Sequence, residues 1–109
     1  MKITNKLFDE SVIAAERGDF HTEAVLLRRS LIADPSNILA MTHLSQNLML
    51  YQRYDEALEI LFKAESLAPT NLMVILAMND LVQSVEMYET RNLQSRTGRK
   101  ARTVRNLRQ

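Results

Sequence analysis

The chain has 109 residues, 46% hydrophobic and 25% charged, with 14 basic and 13 acidic side chains for a net charge of +1. That is enough for one modest core and places it among folded chains. It has no cysteine, which excludes disulfides, thiolate zinc sites and cysteine nucleophiles, and no apolar run near the roughly 18 residues that cross a membrane. The opening MKITNKLFDESV has no apolar segment ahead of its acids, so no secretory signal is expected and the composition suits the cytoplasm. Six methionines against three Phe, three Tyr and no Trp predict a soft, adaptable apolar surface.

In chain order, the first predicted pair of helices carries Leu7 and Ser11, then a turn at Gly18, Asp19 and Phe20, then Leu27 and Ser30, and stops at Pro35. The next pair opens with a stripe of Met41, Leu44, Leu48 and Met49 at helical spacing. YQRYD makes the turn, and the following helix, starting around Asp55, runs through Ala57, Leu58, Leu61 and Ala64, with Ile60 and Leu67 extending its buried side. Its acidic start suits unpaired helix N–H groups; Pro69 ends it, and Thr70 or Asn71 can cap the next helix. Residues 72–90, LMVILAMNDLVQSVEMYET, form that helix, with a strongly apolar opening. One of its faces should cover the second pair, and the other needs the tail, a groove ligand or a partner subunit.

Pro35 and Pro69 are the only prolines, and they lie 34 residues apart. The same shift superposes Leu7 on Met41, Ser11 on Ser45, Phe20 on Tyr54, Leu27 on Leu61 and Ser30 on Ala64. A period of this length marks stacked supersecondary units. The pattern resembles the tetratricopeptide repeat family, a helix-turn-helix motif of this length. Met41, Leu44, Ser45, Tyr54, Ala57, Leu61, Ala64 and Pro69 match its positions in the second unit. In the first unit Glu23 occupies the place of a buried alanine, with Ala24 one position late, so a rotated second helix or a register shift near Thr22 is expected. The resemblance implies an all-α solenoid of about five helices: a repeat domain over 1–90, with units of about 4–37 and 38–71 and a partial third at 72–90. The basic segment at 91–109 that follows reads as either disordered or helical.

The resemblance also implies a concave groove lined by the first helix of each unit. Its positions here are Phe8, Val12 and Ala15, then Leu39, Thr42, Gln46 and Met49, then Met73, Leu76 and Asp80. Some members of the family clamp a peptide's terminal carboxylate with Lys and Asn. The equivalent places carry Phe8, Val12, His43, Met73 and Ala77, so that clamp is absent. A groove this apolar suits an amphipathic helix or extended apolar segment of a protein partner, or a second copy of the chain in a homodimer. In size and surface character the chain is also similar to the small repeat chaperones of bacterial type III secretion, which shield a client helix.

Charge divides the chain. Residues 1–90 hold all 13 acids and 7 of the basic side chains, whereas residues 91–109 hold the other 7 and no acid. Arg91, Arg96, Arg99, Lys100, Arg102, Arg105 and Arg108 form this basic segment. Three roles compete for it: a solubilising end, a contact with an acidic protein surface, or a contact with nucleic acid or anionic lipid. The acidic body and the lack of an aromatic platform argue against nucleic acid as the main partner. No catalytic constellation, metal motif or phosphate loop is present, and no cofactor is expected: His21 and His43 stand apart, and Glu10, Glu16, Glu56 and Glu59 read as solvated helix charges. The chain therefore reads as a binding protein and not as an enzyme.

Overall fold

Most helix ends fall where a local signal dictates. The computed structural model describes the backbone from residue 3 to residue 108 and the side chains from residue 5 to residue 94. Within these bounds lie α1 (Ile3–Glu16), α2 (Phe20–Ala33), α3 (Ile38–Leu50), α4 (Tyr54–Leu67) and α5 (Leu72–Arg108), and no strand. Asp19 caps α2 by accepting the Thr22 N–H at 3.1 Å, Asn37 caps α3 through the Ala40 N–H at 3.1 Å, and Asn71 caps α5 through those of Met73 and Val74 at 2.9 and 3.3 Å. Each cap satisfies donors that a helix end leaves unpaired. Hydrogen bonds from the Thr22 side chain and backbone hold the Asp19 carboxyl below the usual carboxylate range. α4 has no side-chain cap and starts one residue before the expected Asp55, with Asp55 and Glu56 in its first turn.

The 34-residue period reaches individual hydrogen bonds. At the end of α1, Gly18 N–H donates to the Ala15 carbonyl at 2.9 Å and Asp19 N–H to that of Ala14 at 2.9 Å. At the end of α3, Gln52 N–H donates to Met49 at 3.0 Å and Arg53 N–H to Leu48 at 2.9 Å. Both are Schellman-type closures, which need a left-handed residue just past the helix. Gly18 supplies it at φ 75° and Gln52 at φ 60°. The proline turns match as well: Asp34 N–H donates to Ser30 at 2.9 Å and Ala68 N–H to Ala64 at 2.8 Å.

These turns fold α1 against α2 and α3 against α4, and the two hairpins stack through α2 and α3. α5 then covers α3 and α4, giving the all-α helical-hairpin solenoid that the repeat implies. Leu27, Leu44, Leu48 and Leu61 are buried together, with Ala40 and Ala57 at the close crossings. Met41, Ala64 and Val74 form a second cluster beside them. Leu67 departs from expectation: it is exposed, whereas Ile60 is half-buried against both clusters.

Glu23 keeps the repeat register instead of displacing α2. It is buried where the second unit has Ala57, and its carboxylate accepts the Asn47 Nδ2–H at 2.7 Å. The same amide donates to the Phe20 carbonyl at 2.7 Å. Asn47 is itself buried, at the position occupied by Leu81 in the next unit. One polar bridge at the first junction thus replaces an apolar pair at the second, and the helix N-terminus close by favours the negative charge.

α5 does not stop where the basic segment begins. Between Leu72 and Thr97 it meets neither proline nor glycine, and nothing else there terminates a helix. Its 37 residues span ~55 Å at 1.5 Å each. Helices of 13 and 14 residues build the rest of the stack, so α5 outreaches them and the longest dimension is 65 Å.

Candidate functional site

A helix turns by about 100° per residue, so α5 presents two flanks on either side of its buried face. Val74, Ala77 and Leu81 are buried against the body. Met73, Leu76 and Asp80 share one flank, on the α3 side. Ile75, Val82, Glu86 and Glu89 share the other, which meets α4.

The α3 side carries most of the groove positions. On α5, Met73, Leu76 and Asp80 are exposed. On α3, Leu39 and Gln46 are exposed and Met49 is half-buried against the core. Thr42 is fully buried, its hydroxyl donating to the Leu39 carbonyl at 2.9 Å. It faces inward and offers a ligand no surface. On α1, Val12 and Ala15 are half-buried, and Phe8 packs on the core with its ring edge-on to His43 at 5.0 Å and 76°. That ring contact joins α1 to α3, and it turns His43 into a packing residue of the wall. His21 is exposed beside the α1–α2 turn.

The α4 side holds a concavity that the sequence pattern did not announce. A cavity of about 640 Å³ lies between the start of α4 and the second half of α5's described part. Tyr54, Leu58, Leu81, Val82, Val85 and Tyr88 make its apolar floor, and Asp55, Glu56, Glu86 and Glu89 supply an acidic rim relieved by Arg53. Glu56 is taken up by Arg53 at 2.6 Å and Arg28 at 3.4 Å, a solvated link between α2 and α4 and not a free charge. Neither Asp55, Glu86 nor Glu89 forms an ion pair among the described residues. Tyr88 meets Tyr54 edge-on at 5.4 Å. It also lies 34 residues after Tyr54. That was the legible signal: the third aromatic of the period is present, although no proline turn comes after it.

The preceding junction explains the opening. There the chain turns after α3, and α4 packs back over Met41 and Leu48, which are 2% and 1% exposed. Their equivalents on α5, Ile75 and Val82, are 43% and 56% exposed, because α5 continues straight and no further helix returns over them among the described residues. The matching groove between α2 and α3 measures about 280 Å³, less than half the volume.

Of the basic segment, Arg91 is exposed; the side chains of Arg96, Arg99, Lys100, Arg102, Arg105 and Arg108 lie outside the described residues. Among the described residues, no helix is long and apolar enough to cross a membrane.

No protein-family model matches the chain. Over 56 residues, 51% of its length, it is 41% identical to human tetratricopeptide repeat protein 28. The chain spans only 2% of that curated relative. This similarity, with five helices packed as successive hairpins, supports an interaction-type repeat module in general terms.

Proposed function

We propose that the chain is a small tetratricopeptide repeat protein that binds, without catalysing a reaction, a helical or extended apolar segment of a partner protein along the α1–α3–α5 wall. It acts in the cytoplasm and shields that segment as a chaperone would. The observation that supports this reading is that Leu39, Met73 and Leu76 are all exposed on α3 and α5, while the Phe8 ring ties α1 to α3 through His43. Aliphatic side chains left in water gain roughly 25 cal/mol per Å² when a partner covers them, before ordering costs. Met49 and Met73 let the wall fit more than one shape.

Methyl-labelled methionine spectra test it with a panel of amphipathic helical peptides. Binding should shift the Met73 and Met49 methyl signals and leave buried Met41 in place, and Leu39→Glu with Leu76→Glu should weaken it at least tenfold. Shifts confined to other methionines, or affinity untouched by both substitutions, would overturn the reading. A basic segment without acids also favours an anionic partner; a duplex oligonucleotide whose binding falls steeply with salt is the check on that alternative.

A further inference from the structure

The uncovered α4-side flank of α5 has a suitable occupant within the chain's own sequence, in a second copy. The chain cannot cover that flank by folding back as a third hairpin. Shifting the buried α4 residues Ala57, Leu61 and Ala64 by 34 gives Arg91, Ser95 and Gly98. A returning helix would set an arginine in the closest crossing and offer no large apolar side chain. α5 runs straight through the point where the turn would be.

The charge along α5 reverses once. From Leu72 to Thr90 it contains Asp80, Glu86 and Glu89 and no basic residue, and from Arg91 to Arg108 it contains seven basic residues and no acid. A helix of this kind is complementary to itself only when two copies run antiparallel, each acidic half beside the other's basic half. Ile75, Val82, Glu86 and Glu89 follow heptad spacing on the uncovered flank, and that spacing, carried on along the sequence, reaches Arg96, Lys100 and Leu107. Reversed against itself, the heptad register pairs position 86 with 96, 82 with 100 and 75 with 107, so that Glu86 falls at the level of Arg96. The 18 residues from Arg91 to Arg108 extend ~27 Å, while the acid-rimmed stretch from Leu81 to Glu89 needs only ~12 Å.

We infer that two copies of the chain associate through antiparallel α5 helices, the basic half of each seated in the acid-rimmed groove between α4 and α5 of the other. The pairing is isologous and closes as a dimer. It buries Ile75 and Val82, covers the groove at both ends of the pair, and leaves the α1–α3–α5 wall on each copy free.

Sedimentation equilibrium on the full chain tests this with paired charge reversals, helicity being checked by circular dichroism. At tens of micromolar and low salt the unaltered chain should have the mass of two copies. Glu86→Arg with Glu89→Arg, and separately Arg96→Glu with Lys100→Glu, should each reduce it to one copy. All four changes in one chain should restore two. A single-copy mass for the unaltered chain, a two-copy mass insensitive to either reversal, or failure of the fourfold variant to recover at native helicity would each overturn the inference. So would a single-copy chain that binds a short oligonucleotide equally well with and without the Glu86 and Glu89 reversals, since the basic half would then serve a phosphate backbone.

Discussion

Ser30 shows how closely single side chains follow the repeat. Its hydroxyl is fully buried and has no partner among the described residues, at the position where the second unit has Ala64. A hydroxyl removed from water without a hydrogen bond costs on the order of 1–3 kcal/mol. Ser30→Ala should therefore stabilise the fold by about 1 kcal/mol, seen as a higher urea midpoint at unchanged slope. Ser11 and Ser45 differ, because their hydroxyls donate to the carbonyls of Phe8 and Thr42 three residues back, and the same change there brings no such gain. Residue identities at the small positions were legible from the period. Whether each hydroxyl finds an acceptor was not, since that depends on its rotamer against the neighbouring helix.

Among the elements, the junction of α2 and α3 is where sequence reasoning fell short. A lone glutamate in an alanine position reads as a displaced helix, because its partner lies 24 residues away and looks like any surface amide. Burial of both side chains and the 2.7 Å bond between them make the pair a unit. Asn47→Leu alone strands a buried carboxylate and should cost about 2–3 kcal/mol. Glu23→Ala alone should cost about 1 kcal/mol, the amide retaining the Phe20 carbonyl. Together they copy the Ala57–Leu81 pair of the next junction and should return to within about 1 kcal/mol of the parent. Denaturant titration of all four chains measures the coupling, and plain additivity would show that the bridge is not what joins the helices.

For the whole molecule, the stack is closed in its middle and open along α5. Leu48 and Val82 occupy equivalent positions with opposite burial, 1% against 56% exposed. Leu48→Ala should cost about 3 kcal/mol, while Val82→Ala should cost less than about 1 kcal/mol in dilute solution. The gap should narrow as concentration rises if a second copy covers Val82, because association stabilises only the surface it buries. Equal costs at nanomolar concentration would mean that this flank is already filled within one chain. The solenoid itself was legible because Met41, Leu61 and Ala64 repeat Leu7, Leu27 and Ser30 at the 34-residue period. The long last helix was not, because a missing turn leaves no residue to mark it. The buried bridge between Glu23 and Asn47 bears on how such modules could be rearranged. A unit ending in a helix with Glu23 tolerates only a successor that brings an amide to the matching place, whereas one with Ala57 requires an aliphatic side chain. The two units therefore carry different addresses for their successors, and their order along the chain is written into two buried side chains and not into the shared scaffold.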